Sequence, residues 1–131
     1  MSDTAIRPNT RLGVKIAIGI TALHAWRISA ILFLAQVGSD LPEFWRIAFR
    51  GDTFIGCTAL IIAFLLAKYR SFNVWLLAFV WQFIGLMDLY VAFESQLISP
   101  IGSGPYFVIP AGMVLHATAA ILLFQNRRAF F

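Results

Sequence analysis

Four long apolar runs constrain the fold of this chain more than any other feature of its sequence. They cover residues 16–37, 53–67, 73–93 and 106–124. A helix needs roughly 18 to 20 apolar residues to cross about 30 Å of hydrocarbon, and the second run reaches that length once residues 47–49 join it. Hydrophobic residues make up 60% of the chain and charged residues only 12%, so a soluble fold could not bury the apolar surface.

Backbone polar groups in lipid must bond to each other, which leaves helices and closed barrels as the two architectures that can cross a bilayer. The runs lack the apolar–polar alternation of barrel strands. The sequence therefore predicts an all-α integral membrane protein that forms one four-transmembrane-helix bundle over residues 1–131. We expect its helices at approximately 13–37, 47–68, 73–94 and 106–125.

Two smaller features bear on these helices. Basic residues precede the first run, as in a secretory signal. The run is longer than the apolar region of a signal peptide and contains His24 and Arg27, so we expect a retained helix.

Cys57 is the single cysteine and cannot form a disulfide within the chain, and we interpret it as a small core residue.

The basic residues are distributed unevenly along a path with four crossings. Seven of the ten Lys and Arg residues fall on one side: Arg7, Arg11, Lys15, Lys68, Arg70, Arg127 and Arg128. The other side has three acidic residues and two basic ones: Asp40, Glu43, Glu94, Arg46 and Arg50. By the positive-inside rule, both termini are cytoplasmic and the chain is a multi-pass protein of the inner (plasma) membrane. The net charge of +4 largely reflects this asymmetry, so it indicates no nucleic-acid partner.

Polar residues inside the runs are candidates for a site, because polar groups in lipid are costly unless they pair or line a cavity. A rise of about 1.5 Å per residue converts the distance from a cytoplasmic helix end into depth. Three residues lie at roughly 13 to 14 Å, near the midplane: His24, Gln82 and His116. Three lie at about 18 to 24 Å, in the outer half: Arg27, Asp52 and Asp88.

Helical periodicity turns these residues inward. At about 100° per residue, three of the polar residues share a helix face with a glycine, and membrane helices approach closely at such small residues. Asp52 lines up with Gly56, Asp88 with Gly85, and His116 with Gly112. Trp81 lies on the same face as Asp88. Trp81 therefore joins the candidates. Gln82 is the weaker member of the group, since it is turned roughly 120° from Asp88.

Arg27 is the expected partner of both carboxylates. An unpaired charge at the bilayer centre costs on the order of 2.5 to 3.5 kcal/mol. The depths of Arg27 and Asp88 differ by only about 4 to 5 Å, which an Arg side chain can reach. We therefore expect the guanidinium to bridge Asp52 and Asp88 with charge-assisted hydrogen bonds.

This cluster of Arg, Asp and His residues leaves several functions open. It fits an ionic clasp that holds the helices in register, and it fits a binding site for a small molecule or ion, with or without transport. His24 and His116 at matched depth also fit bis-histidine ligation of a b-type haem. A small intramembrane enzyme acting on an apolar substrate could use Asp and His residues as acid and base.

No sequence motif supports an enzymatic function, because the sequence contains no Gly-rich phosphate loop, no H-E-x-x-H, no Cys-x-x-Cys and no nucleophile elbow. The charges beside His24 and His116 are a poor setting for the apolar face of a porphyrin, so we expect no metal and no cofactor, with haem as the alternative. The lipid bilayer is the expected partner. A small-molecule ligand, a homo-oligomer and a larger membrane complex stay open.

Three segments carry a family resemblance: GDTFIGCTALIIAF, WQFIGLMDLYVAF and PAGMVLHATAAILLF. They resemble small bacterial four-helix membrane proteins with Gly-Asp at the outer end of helix 2, Trp followed by Gly-x-x-Asp-Leu in helix 3, and His in helix 4. The resemblance covers roughly residues 42–124 and implies that Asp52, Asp88 and His116 form one site, without implying a particular chemistry. Gln82 stands where such proteins more often have Asn.

Cysteine labelling in a cysteine-free background tests the predicted orientation. We expect Ser103→Cys to react with an impermeant thiol reagent added to intact cells, because the loop that contains it lies outside. We expect Arg70→Cys to be protected, because the basic connection lies in the cytoplasm. The reverse pattern would show that the orientation is inverted.

Overall fold

A computed structural model describes residues 8–37 and 40–131, and it is helical throughout, with no strand in those ranges. Four helical spans in this part of the chain are long and apolar enough to cross a membrane, which confirms the predicted helical class and number of spans. Arg7 and the side chain of Arg11, used for the predicted orientation, lie outside the described part.

The first span has three parts: α1 (Pro8–Leu23), a 3₁₀ segment (His24–Ser29) and α2 (Ala30–Val37). The other three spans are single helices: α3 (Glu43–Lys68), α4 (Phe72–Ile98) and α5 (Pro105–Gln125). A short 3₁₀ turn, Arg127–Ala129, follows α5.

The four spans form a closed arrangement. Each packs against the next in sequence, and α1 packs against α5. The connections at residues 69–71 and 99–104 are short, so the helices that they join are antiparallel. Two apolar clusters fill the interior. One contains Ile55, Leu66, Trp75 and Leu123, and the other contains Trp45, Leu89 and Ile109. Along α3, α4 and α5, the candidates Asp52, Gln82, Asp88 and His116 lie between these two clusters.

Two helices are longer than their apolar runs. α3 begins at Glu43 rather than near residue 47, because the polar residues after Pro42 continue the helix beyond the apolar part. α4 ends at Ile98 rather than near residue 94. It stops where Pro100 holds the preceding Ser99 in an extended conformation, at φ −144° and ψ 82°. The apolar run therefore marks only part of each of these two helices and not both of its ends.

Cys57 is exposed on α3, so its interpretation as a core residue is wrong. It directly follows Gly56, which is buried. A step of about 100° per residue carries Cys57 away from the helix contact and onto the outer surface of the bundle.

The 3₁₀ segment is a feature that the sequence did not predict. A 3₁₀ helix has 3.0 residues per turn, so side chains three positions apart eclipse each other. His24 and Arg27 are three apart, and both are buried, whereas Trp26 and Ile28 are exposed. The local winding therefore places His24 and Arg27 in line and directs both into the bundle.

Gly56 allows the 3₁₀ segment to contact α3 closely. A Cβ atom at Gly56 would lie 2.8 Å from the Arg27 carbonyl carbon and 2.9 Å from the Ile28 Cα atom. Such distances are too short for any side chain at Gly56. The backbone of the first span thus rests directly on α3, about one turn from Asp52.

Gly56→Ala is expected to lower the melting temperature in detergent, because the added methyl group must push two backbones apart, at a cost of about 1 to 3 kcal/mol. Gly19→Ala is the matched control, since Gly19 also lies in the first half of the fold and has no atom within 4 Å of its Cβ position. The control should be neutral or slightly stabilising, because Ala is the better helix former. Equal losses in the two variants would contradict a close contact at Gly56.

Candidate functional site

The Arg27 guanidinium lies between two carboxylates from different helices. Its Nε donates to Asp52 Oδ1 at 2.5 Å, and Nη2 forms ion pairs with Asp52 Oδ1 and Asp88 Oδ2. The Arg27 side chain is only 1% exposed. The bridge expected from the depth of these residues is therefore present, and it joins the first span to α3 and α4.

His116 extends the cluster to α5. Arg27 Nη1 lies 3.1 Å from His116 Nε2. A guanidinium has only donors, so Nε2 must be the unprotonated nitrogen that accepts this bond. The ring proton is then on Nδ1, which donates to Gln82 Oε1 at 2.7 Å. His116 is therefore neutral in this arrangement, and its tautomer is defined by its two neighbours.

Gln82 continues the same sequence of hydrogen bonds. Its Nε2 donates to Thr21 Oγ1 at 2.9 Å, and the Thr21 hydroxyl donates to the Ala17 carbonyl at 2.8 Å. Gln82 is fully buried, so its low rank in the sequence prediction was wrong. Its side chain is long enough to reach His116 although its Cα is turned away from Asp88. Thr21 was missed, and the only signal for it is its spacing of three residues before His24.

His24 stacks face to face on His116, with ring centroids 3.7 Å apart and an angle of 12° between the ring planes. Neither ring nitrogen of His24 has a hydrogen-bond partner among the described residues, although the side chain is buried. Trp81 lies beside both rings, 6.0 Å from His24 and 5.4 Å from His116 between centroids. Its Nε1 donates to Thr58 Oγ1 at 2.8 Å.

All seven residues selected from the sequence thus meet in one cluster: His24, Arg27, Asp52, Trp81, Gln82, Asp88 and His116. Two glycines make room for it. A methyl group at Gly51 would overlap the Asp88 carboxylate, and one at Gly85 would overlap the His116 ring. The sequence marked Gly85 as a place of close approach, but it could not show which side chain fills the space.

The two histidines do not fit bis-histidine haem ligation. Their faces are in contact, so no porphyrin plane fits between the rings. Both nitrogens of His116 are already engaged by Arg27 and Gln82. Within residues 8–37 and 40–131, no group of three or more His, Cys, Asp or Glu residues is placed to hold a metal ion.

A cavity of about 450 Å³ adjoins the cluster. Arg27 and Asp52 form its polar end, and its other walls are largely apolar: Trp26, Ala30, Trp45, Phe49, Leu89 and Ile109. An apolar pocket with a few convergent polar groups is the usual form of a small-molecule site. The two carboxylates differ in position, because Asp52 lines the cavity and Asp88 does not.

These observations define a class: a four-span helical bundle in which all four spans contribute to one charged cluster beside a cavity. The chain belongs to the family described as Domain of unknown function (DUF8737), whose model matches residues 6–124. The match includes every residue of the cluster. No curated protein and no solved structure matches the chain.

Asp88→Asn and Arg27→Gln are each expected to lower the melting temperature in detergent. Each leaves an opposite charge buried without a full set of partners, at a cost of about 3 to 5 kcal/mol. The double variant should recover part of the loss. Glu94→Gln, which removes an exposed carboxylate from the same helix, should have little effect. Additive losses in the Arg27 and Asp88 variants would argue against direct pairing.

Proposed function

We propose that this protein is a multi-pass protein of a bacterial inner membrane, with both termini cytoplasmic, that binds a small molecule in the cavity beside Arg27 and Asp52. The four spans of membrane length support insertion, and the uneven distribution of Lys and Arg supports the orientation. In this orientation the cavity lies in the outer half of the bundle. Its lining comes from the 3₁₀ segment and the start of α2, the first part of α3, the last part of α4, the 99–104 connection and the first part of α5.

The observation that carries the proposal is a carboxylate oxygen at the polar end of the cavity. Asp52 accepts the Arg27 bonds on Oδ1 alone. Its Oδ2 receives no hydrogen bond from the described residues, and the Asp52 side chain is 20% exposed, against 11% for Asp88. A charged group in a membrane span normally pairs fully or serves a cavity. Asp52 therefore has one oxygen for the fold and one for a ligand.

The same cluster also serves as a clasp. Arg27 donates to acceptors on α3, α4 and α5 at once, so the cluster holds the first span in register with the other three. Removal of any one acceptor would leave buried charge or a buried donor unsatisfied. The clasp and the binding site are therefore not alternatives, because they use different oxygens of one residue.

Proton transport and acid–base catalysis have less support. The series of hydrogen bonds from Arg27 to Ala17 begins at a guanidinium, which does not release its proton in proteins. The series therefore does not form a proton relay. Neither His24 nor His116 lines the cavity. Asp52 consequently has no histidine facing the same space with which to form an acid–base pair.

Cysteine accessibility tests whether the cavity admits small molecules. Ala30 and Ala63 are similarly buried, at 7% and 6% exposed, but only Ala30 lines the cavity. In a Cys57→Ala background, we expect Ala30→Cys to be modified by N-ethylmaleimide in detergent much faster than Ala63→Cys. The cavity gives the reagent a path to position 30, whereas position 63 is reached only by local unfolding.

Both cysteines should react completely after denaturation, which controls for intrinsic reactivity. If Ala30→Cys is as slow as Ala63→Cys in the folded protein, the cavity is closed to small molecules and the proposed function is wrong.

A further inference from the structure

With both carboxylates ionised, the polar end of the cavity carries an excess of negative charge. Arg27 provides one positive charge, and Asp52 and Asp88 provide two negative ones. His116 is neutral because its Nε2 accepts from Arg27. His24 has no acceptor for a second ring proton, so a charged form would be buried without a partner. Asp52 lines the cavity and Asp88 does not, so Asp52 is the carboxylate that an occupant can contact.

Aromatic rings line the same space. Trp26, Trp45 and Phe49 all contribute to the walls. The Trp45 indole N–H is already used, since it donates to the Ser99 carbonyl at 2.7 Å. Trp45 therefore offers an occupant its ring rather than its donor, and that ring stacks against Phe49 with centroids 5.7 Å apart. The face of an aromatic ring attracts a cation within about 6 Å of its centroid. A carboxylate combined with several such rings recognises an ammonium group better than an anion or a neutral donor.

The cavity is bounded by the first span and α5, whose backbones lie farther apart in this part of the bundle. The backbone of α1 lies close to α5, whereas the backbones of the 3₁₀ segment and α2 lie farther from it. The 3₁₀ segment reaches α5 through the side chains of His24 and Arg27, which contact His116. The cavity lies in this gap, with Trp26 on one side and Val108 on the other. Both of these residues are exposed on the lateral surface of the bundle, at 50% and 44%. In a membrane, an occupant can therefore enter sideways from the lipid.

We propose that the occupant of this cavity is a lipophilic cation, with its ammonium group against Asp52 and its apolar body directed between Trp26 and Val108 toward the outer leaflet. This inference rests on the proposed ligand site and adds the charge and the entry route of the ligand. A free alkylamine and the amine headgroup of a lipid share the required chemistry.

Matched single-chain probes test the charge. The full-length protein in a neutral maltoside detergent is heated with decylammonium, decanol or decanoate at equal concentrations, and unfolding is followed by tryptophan fluorescence. We expect a saturable rise in melting temperature with decylammonium, a smaller rise with decanol and none with decanoate. A short-chain phosphatidylethanolamine is tested in the same way, with the corresponding phosphatidylglycerol as its control. Comparison of the phosphatidylethanolamine with decylammonium shows whether a lipid headgroup is preferred to the free amine.

Two variants locate the effect. Asp52→Asn should weaken decylammonium binding roughly tenfold or more, measured against the melting temperature of the variant itself, because the ammonium loses its counter-charge. Trp26→Leu, at an exposed position that the fold does not depend on, should also weaken it. Glu94→Gln removes an exposed carboxylate that is not in the cavity lining, and it should bind decylammonium like the wild-type protein.

Three results would overturn the inference: equal stabilisation by decylammonium and decanol, stronger stabilisation by decanoate, or no stabilisation by any of these probes. If Ala30→Cys still reacts rapidly with N-ethylmaleimide in those cases, the cavity admits small molecules and only the assignment of a cation fails. If Ala30→Cys is also protected, the proposed binding function fails as well.

Discussion

The permanent charge of Arg27 is the constraint on which the rest of the structure depends. A guanidinium cannot be neutralised by losing a proton, so a bundle that buries it among its helices must supply acceptors in the plane of the guanidinium. Asp52, Asp88 and His116 supply them from three different helices. The relative positions of the four spans therefore follow from the coordination of one side chain as much as from apolar packing.

Apolar packing alone would leave these spans poorly specified. In the membrane proposed for this protein, helices gain little from hiding apolar surface, because the surrounding lipid chains are equally apolar. Close contact and polar bonds must then determine register. Here the two act at the same level: Gly56 lets the backbone of the 3₁₀ segment rest on α3, and Arg27 in that segment reaches Asp52 on the same helix. Neither contact would form without the other.

Much of the cluster could be predicted from the sequence because few polar residues enter the spans, and the fixed rise of a helix converts their positions into depth. This was sufficient to pair Arg27 with Asp52 and Asp88. The same reasoning ranked Gln82 too low, because its long side chain reaches around the helix. It missed Thr21, whose hydroxyl is unremarkable in a helix. The 3₁₀ segment had no local signal, since contacts with α3 select it. The cavity was missed because its walls consist of ordinary apolar residues.

The glycines beside the cluster have a consequence for how sequences of this kind can change over time. Gly51 accommodates the Asp88 carboxylate, Gly85 accommodates the His116 ring, and Gly56 accommodates the backbone at Arg27. Each functional group thus depends on the absence of a side chain on another helix. A lineage that lost the Asp88 carboxylate or the His116 ring would be released from keeping Gly51 or Gly85, whereas a lineage that lost the glycine first would displace that side chain and destabilise the cluster. Substitutions at these paired positions should therefore accumulate in a fixed order, with the glycine changing last.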